Sequence, residues 1–253
     1  DQALAIMEAR LSVDVGITPH LAASVMIPVR GIDTTIRYLD GSGAEVQLGS
    51  PNVHHRDERV AGLGDPMLLG AASRSFGDWR VTGRAGGTIP LGSTEQDPFA
   101  LGDAGLTHEH VQLGTGTVNP VVAIEGARRW GDWRLGAFAF SQQVLYENHE
   151  GYQAGDRYAG GAVLRRRLGD RWSVHGGVEA QGETAERWNG GVPSDDGNRG
   201  RFDLIFSAAA AWSATDHLSL DLALKVPAVT HTVGGQLDMP AIIELGAAWS
   251  FGG

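Results

Sequence analysis

Apolar and polar residues alternate along most of the chain, in segments of about ten residues separated by turn or loop signals. In Leu218–Val226 every even position is aliphatic, whereas the odd positions carry Ser219, Asp221, Ala223 and Lys225. Neighbouring side chains of a β-strand point to opposite faces, so this period of two predicts strands with one apolar and one polar face. The strands that the alternation predicts are Ala3–Ile17, Leu21–Tyr38, Gly64–Phe76, Trp79–Gly92, Val118–Trp130, Trp133–Tyr146, Arg157–Leu168, Arg171–Glu183, Arg201–Ala214, Leu218–Pro227 and Pro240–Phe251.

The connections between these strands are alternately short and long. Short connections contain pairs such as Gly77-Asp78, Gly131-Asp132 and Gly169-Asp170, which are typical of hairpin turns. Outer-membrane β-barrels have this plan, with short turns in the periplasm and long loops outside. A soluble β-sandwich also alternates, but its loops would not sort by length in this way, so we favour the barrel. The long connections are Leu39–Ala61, Ser93–Thr117, Glu147–Asp156, Thr184–Gly200 and Ala228–Met239.

The number of predicted strands is odd, whereas bacterial single-chain barrels usually have an even number. If the first short turn, Thr18-Pro19-His20, is periplasmic, the first strand begins outside and another strand should precede it. We therefore predict an all-β, antiparallel transmembrane β-barrel, with eleven strands visible, twelve in all and one strand missing before Asp1. Residues 1–253 form this single barrel domain. The segment Asp1–Arg10 lacks the basic start and apolar core of a signal peptide, so we expect any leader to have been removed.

Composition agrees with a barrel and excludes other classes of protein. No stretch approaches the roughly 18 consecutive apolar residues of a membrane-spanning helix. The chain has no cysteine, which excludes disulfides and thiolate chemistry, and its net charge of −10 argues against a nucleic-acid partner. Five of the seven tryptophans lie beside short turns, where a barrel places an aromatic girdle against outer-membrane lipid. These are Trp79, Trp130, Trp133, Trp172 and Trp212.

Three glycine-rich motifs occur in a recognisable order. Gly62-Leu63-Gly64-Asp65 enters a strand, Ile89-Pro90-Leu91-Gly92 ends the next, and Leu113-Gly114-Thr115-Gly116 precedes the fifth. In this order the motifs resemble an outer-membrane family of transporters named for the meta-pathway of phenol degradation. The resemblance is strongest over Gly62–Arg129 and extends to the remainder in general layout. It implies a barrel and the uptake of small, often aromatic, molecules.

If the apolar sets of the strands face lipid, the opposite sets face the lumen. An arginine or lysine facing lipid near the membrane centre costs about 2–4 kcal/mol, so the charged positions are expected inside. These charges either pair and fill the interior as a polar core, or line a pore that selects solutes. Twelve strands enclose more space than the eight whose side chains just fill a barrel, so we favour a channel. The predicted pore-lining residues are Glu8, Arg10, Asp14, Arg80, Arg84, Glu125, Arg129, Arg165, His175, Glu179, Asp203, Asp221, Lys225 and Glu244.

Histidines in the first two long loops form a second candidate site. His54 and His55 lie in the first loop, and His108 and His110 in the second. In an extended segment His108 and His110 share a face, so two imidazoles could bind one metal ion with His54 or His55 completing the set. Solvated loop histidines are the alternative interpretation. No motif sets a nucleophile beside a histidine, so we expect neither an enzyme nor a bound cofactor.

The predicted function is that of an outer-membrane channel or transporter for small, aromatic or anionic solutes through a charged lumen. The wall formed by Arg80, Arg84, Glu125 and Arg129 holds three cations against one anion, which favours anionic solutes. The alternative is a structural or partner-binding barrel of an envelope complex, closed when alone. A missing first strand favours this alternative, because another envelope protein could close the seam. Both interpretations place the protein in the bacterial outer membrane.

Overall fold

One antiparallel sheet dominates the structure, a computed structural model that describes residues 2–47, 56–193, 197–234 and 238–251. All eleven predicted strands are present in this sheet, with ends shifted by a few residues. Among the described residues no helix is both long enough and apolar enough to cross a membrane. The elements are β1 (Gln2–Gly16), β2 (Leu21–Ile36), β3 (Glu58–Leu63), β4 (Met67–Phe76), β5 (Trp79–Thr88), α1 (Pro98–Asp103), β6 (Pro120–Trp130), β7 (Trp133–Gln142), β8 (Tyr152–Gln153), β9 (Arg157–Leu168), β10 (Trp172–Glu183), β11 (Arg187–Trp188), β12 (Arg201–Ser213), β13 (Leu218–Thr232) and β14 (Ile242–Trp249).

The sheet is a meander in which each long strand pairs with its neighbours in the chain. Its order is β1-β2-β4-β5-β6-β7-β9-β10-β12-β13-β14, and β3 pairs with β2 beside β4. The first half of β2 pairs with β4 and the second half with β3. The two short strands thus form one row, interrupted at Gly64-Asp65-Pro66, where the proline has no N–H to donate. The prediction that the first long loop extends to Ala61 is therefore wrong, because β3 begins at Glu58.

Strand β13 also extends beyond its predicted end. Pairing with β12 shifts register where Leu204 lies opposite Val229 and Ile205 opposite Pro227, so Ala228 is an extra residue on β13. A bulge at this point accommodates the missing N–H of Pro227 and lets pairing continue to Thr232. The prediction that a loop begins at Ala228 is therefore wrong. The remaining differences lie inside the predicted loops, which contain α1 and the short β8–β11 pair.

Tight hairpins with tryptophans beside them form one end of the sheet, which we call the turn end. Gly77, Gly131 and Gly169 have φ angles of 57°, 53° and 67°, the left-handed region that glycine adopts without strain. The Gly131 turn places Trp130 directly opposite Trp133, and the other tryptophans beside turns lie at the same end. Most of their rings are exposed on the apolar face, as expected of an aromatic girdle.

The two faces of the sheet differ in polarity as predicted. Leu222 lies directly opposite Leu245, which is 82% exposed, and the same face carries large aliphatic side chains on every long strand. An exposed apolar face of this extent is suited to lipid and not to water. The edges of the sheet are β1 and β14. Both run towards the turn end from the opposite end, which we call the loop end because the long loops lie there, so direct pairing between them would be parallel. The twelfth strand before Asp1 stays a prediction.

Candidate functional site: the lumen and its loop cap

All fourteen predicted pore-lining residues lie on one face of the sheet. Directly opposite residues of antiparallel strands share a face, so the register can be followed from strand to strand. Glu8 lies opposite Arg30, His175 opposite Arg165, and Glu125 two residues from Ala123, which lies opposite Arg84. We call this the lumen face. That its residues line a conducting pore stays a prediction.

A cavity of about 880 Å³ lies against the lumen face. Arg134 and Phe138, which sequence reasoning did not select, line the cavity as well. Of the predicted residues, those that line it are Glu8, Arg10, Arg84, Glu125, Glu179 and Asp203. The other eight lie on the lumen face but do not line this cavity. They are Asp14, Arg80, Arg129, Arg165, His175, Asp221, Lys225 and Glu244.

Ion pairs connect the strands around the cavity. Arg84 donates to Glu125 at 2.9 Å and lies 3.6 Å from Asp14, so it links β5 with β6 and with β1 across the lumen. Most charges in this part of the lumen are therefore compensated by a partner of opposite sign. The other pairs are Glu8 with Arg10 and Arg30, Arg157 with Glu183, Arg201 with Asp203, and Lys225 with Glu179 and Glu244.

Apolar side chains form the rest of the cavity wall, and the sequence analysis did not predict them. Met26 and Met67 lie opposite each other on β2 and β4, and Phe138 and Phe140 project from β7. Gly161, opposite Phe138, leaves room for the ring, because a Cβ there would lie 3.0 Å from Cε1 of the phenylalanine. In the middle of β7 alanines alternate with phenylalanines, so both faces are apolar there and the alternation does not show which face is turned to the lumen. The lumen is therefore both charged and apolar.

The three glycine-rich motifs meet at one point beside the cavity. The Asp65 carboxylate accepts hydrogen bonds from the Gly92 N–H at 2.9 Å and from the N–H and hydroxyl of Thr115, both at 2.7 Å. A Cβ on Gly92 would lie 2.6 Å from the Cα of Gly114, so the two backbones pack too closely for any side chain. We call Asp65, Gly92, Gly114 and Thr115 the Asp65 junction.

The Asp65 junction holds a loop segment against the lumen. Residues 112–115 line the cavity, and Leu113 is buried with its carbonyl 3.5 Å from Nη1 of Arg30. On the other side of the junction Thr115 joins a buried network with Thr117 and Asn119, in which each hydroxyl or amide has a partner. The end of the second long loop is therefore folded inward and narrows the lumen at its loop end.

Three of the predicted long loops pack together over this end. We call α1 together with residues 143–156 and 184–193 the loop cap. Its apolar core includes Tyr152 and Trp188, whose ring centroids are 4.8 Å apart, with Phe99 packed beside them. Asn189 donates to the Asp97 carboxylate at 2.9 Å, which links two loops. Asn148 donates to the Thr115 carbonyl at 3.2 Å and so joins the loop cap to the Asp65 junction.

Two carboxyl groups in the loops have raised pKa values. A hydrogen bond with Glu58 is the main cause that raises the pKa of Glu109 to about 7, and burial and the charges of Glu58 and Glu95 add to it. Burial raises the pKa of Glu186 in the loop cap to about 7, although the indole N–H of Trp188 donates to it at 3.3 Å. Both groups therefore gain or lose a proton near neutral pH.

The histidines predicted to bind metal are only in part within the described residues. His108 is buried, with Nδ1 2.9 Å from the Leu106 carbonyl, and its ring centroid lies 5.2 Å from that of His110. Among residues 2–47, 56–193, 197–234 and 238–251, no three side chains of metal-ligating type converge. His54 and His55 lie outside the described residues. The four-histidine site stays a prediction.

Comparison with known families identifies the chain. The family described as "Putative MetA-pathway of phenol degradation" matches residues 12–228, which is most of the sequence. The chain belongs to this family. The resemblance seen in the three glycine-rich motifs is thereby confirmed, and those motifs form the Asp65 junction of the structure. A comparison with curated proteins gave no match.

The chain is similar in fold to a solved outer-membrane channel. The COG4313 outer membrane channel from Pseudomonas putida F1 superimposes with a TM-score of 0.62 at 11% identity, over 96% of this chain and 81% of that one. A loop-deletion mutant of OmpT from Vibrio cholerae (TM-score 0.48, 10% identity, 98% and 99% covered) and a FadL homologue from Pseudomonas aeruginosa (0.46, 12%, 98% and 66%) are more distant. The similarity to the Pseudomonas putida channel confirms the predicted antiparallel β-barrel fold.

Proposed function

We propose that this protein is an outer-membrane channel for small solutes that carry an aromatic ring or a negative charge. The observation that carries the proposal is the cavity, which lies on the polar face of a sheet whose other face is suited to lipid. The similarity to the Pseudomonas putida channel supports a channel role at the level of the fold.

The composition of the cavity wall supports this choice of solute. Phe138, Phe140 and the facing methionines offer an apolar surface to a ring, whereas Arg84 and its neighbours offer charge. Binding pockets for small molecules usually combine a mostly apolar wall with a few polar groups and have volumes of about 300–1,000 Å³. The cavity of about 880 Å³ falls in this range and exceeds the size of a single-ring solute.

The narrowed loop end supports a selective passage. Residues 112–115 and Tyr152 of the loop cap line the cavity, so a solute entering from outside must pass beside them. A wide pore of the porin kind would leave an open aqueous channel at this point. We propose that solutes are admitted singly and by affinity for the wall.

Flux into liposomes tests the channel. Vesicles containing the purified protein should admit benzoate faster than protein-free vesicles, and faster than they admit arabinose, a neutral polar solute of similar size. The double variant F138A/F140A should reduce the preference for benzoate, because it removes the rings that face the lumen. Equal permeation of benzoate into vesicles with and without the protein would reject the channel.

A partner-binding barrel is the second candidate, and one observation favours it. Strands β1 and β14 do not pair with each other in the described part of the chain, and each leaves one row of backbone groups free to bind a further strand. Another envelope protein could supply such a strand. Mass spectrometry of the protein purified from native membranes should then find a second chain in constant ratio. A protein purified as one chain that conducts solutes would reject this candidate.

A further inference from the structure

Three arginines lie side by side on the lumen face near the turn end. Arg129 of β6 lies directly opposite Arg134 of β7, and Arg134 directly opposite Arg165 of β9. Directly opposite residues of antiparallel strands have Cβ atoms about 4.5–5.5 Å apart, so the three side chains are immediate neighbours. His175 of β10 continues the same level. We call Arg129, Arg134 and Arg165 the arginine row.

Strand register creates the arginine row, and a short turn fixes its first pair. The Gly131-Asp132 turn places Trp130 opposite Trp133, and this register places Arg129 opposite Arg134. The tryptophans lie on the apolar face, so the arginines next to them in sequence must point to the lumen face. The pairing of β7 with β9 then places Arg165 opposite Arg134, so the row follows from the register of three adjacent strands.

The charges of the arginine row are not compensated by any carboxylate in the described part of the chain. Several other cations of the lumen have a carboxylate partner, as Arg84 has in Glu125. Among the described residues no carboxylate forms a salt bridge with the row, and Arg165 donates to the hydroxyl of Ser173 at 2.9 Å. The carboxylate of the nearby turn, Asp132, is bound by Arg167 at 2.8 Å.

Neighbouring like charges destabilise a sheet, so uncompensated arginines in three adjacent strands indicate a ligand of opposite charge. We propose that the arginine row is a binding site for oxyanions, such as carboxylate or sulfate, at the turn end of the lumen. Each guanidinium group can donate two parallel hydrogen bonds to an oxyanion. Arg134 also lines the cavity, so a bound anion would lie beside the cavity on its side towards the turn end. The inference deepens the proposed function, because it names the ligand chemistry at one end of the same lumen.

The oxyanion could come from a lipid headgroup or be a free anion in solution. An arginine on the other face of the same strands helps to decide between these two sources. Arg166, next to Arg165 in sequence, faces the apolar side and lies over the ring of Trp133, with Cζ 5.2 Å from the centroid. Such interfacial cations are placed to contact lipid headgroups. The arginine row faces the lumen instead, so its ligand is a free anion in solution.

Calorimetric titration of the purified protein with sulfate, in a neutral detergent at low salt, tests this site. The substitution Arg134→Gln should weaken sulfate binding about tenfold or more, because it removes a charged donor pair. The matched control Arg166→Gln removes the same charge from the apolar face and should leave the affinity unchanged. Equal weakening by both substitutions, or no binding by the unaltered protein, would overturn the proposal. Displacement of sulfate by added phosphatidylglycerol would assign the row to lipid and also overturn it.

Reversal potentials across planar bilayers in a KCl gradient separate this inference from the proposed function. The unaltered channel should prefer chloride, and Arg134→Gln should reduce that preference while Arg166→Gln does not. Conduction with unchanged selectivity in Arg134→Gln would overturn the site and leave the channel standing. Sulfate binding that depends on Arg134, in a protein that never conducts, would support the site and reject the channel.

Discussion

The loop end and the turn end of the lumen use charged groups in opposite ways. At the loop end the Asp65 carboxylate has three donors, and cations such as Arg157 and Arg201 each lie beside a carboxylate. At the turn end Arg129 and Arg134 face each other with no carboxylate beside them in the described chain. Compensated charges stabilise a structure, whereas uncompensated ones remain available to a ligand. If the arginine row binds anions as we propose, the loop end shapes the lumen and the turn end sets its charge preference.

Removal of the acceptor at the Asp65 junction should have the largest effect on stability. Asp65→Ala leaves the N–H of Gly92 and both donors of Thr115 without their acceptor, which costs about 3 kcal/mol. We expect a lower unfolding temperature, faster proteolysis of residues 112–115 and a higher single-channel conductance.

Asp40→Ala is the matched control for this change. The Asp40 carboxylate also accepts three hydrogen bonds, from Ser42 and Ala44, but it does so in an exposed loop. Its substitution should leave both the unfolding temperature and the conductance unchanged. If Asp65→Ala behaves like this control, the junction does not hold the inward segment.

Glu186 should make the loop cap sensitive to pH. Its pKa is raised in the folded state to about 7 from 4.5, so the fold favours the protonated form. The cap is therefore most stable below about pH 4.5, and it loses up to about 3 kcal/mol as pH rises towards 7, above which the loss is complete. Glu183 faces the same group and adds to its repulsion on ionisation.

Proteolysis of the loop cap as a function of pH measures this loss. Cleavage within residues 184–193 should increase between pH 5 and pH 7, and Glu186→Gln should remove the increase while keeping the protein as resistant as at low pH. Glu150→Gln, on a turn of the same cap where the carboxylate is partly exposed, serves as control. A pH profile that is the same in Glu186→Gln and in the unaltered protein would contradict the role of Glu186.

A methyl group at Gly92 should have a smaller effect, of about 2 kcal/mol. The new Cβ would lie 2.6 Å from the Cα and 2.8 Å from the N of Gly114, and backbone atoms cannot move aside as a side chain can. Gly83→Ala is the control, since a Cβ at Gly83 has no atom within 4 Å. Thermal unfolding, monitored by the change in gel mobility, should give Gly92→Ala a lower transition temperature than Gly83→Ala. Equal transition temperatures would mean that a small backbone movement relieves the contact.

At the turn end the corresponding substitution should stabilise the barrel slightly. Arg134→Gln relieves repulsion with Arg129 and Arg165 and should raise the free energy of unfolding by about 0.5 kcal/mol. Urea unfolding at low salt measures this gain, which 1 M NaCl should largely abolish by screening. A loss of stability in Arg134→Gln would mean that the arginine row is structural, and the contrast between the two ends would disappear.

Alternation along the strands was enough to predict the eleven long strands and the common face of the fourteen residues assigned to the lumen. It could not predict the short pair β8–β11 or α1, because two to six residues contain too little periodicity. It also missed Phe138, since both faces of β7 are apolar. Arg134 could have been found, because a two-residue Gly131-Asp132 turn sets its partner as Arg129.

Contacts between loops were beyond sequence reasoning for a different reason. Asp97 and Asn189, which are joined by a hydrogen bond, are 92 positions apart. No local sequence pattern relates two such loops. They come together only because the strands between them pair into one curved sheet. The convergence of three glycine motifs on Asp65 has the same origin.

The loop cap has a consequence for the order of assembly. Its segments come from three separate hairpins, between β5 and β6, between β7 and β9, and between β10 and β12. The cap is complete only when all three lie on the same side of the membrane and the strands between them have paired, because contacts between segments distant in sequence form late. With the long loops outside, as their length predicts, an antibody that binds only the packed cap would distinguish finished molecules on the cell surface from those whose insertion has stalled.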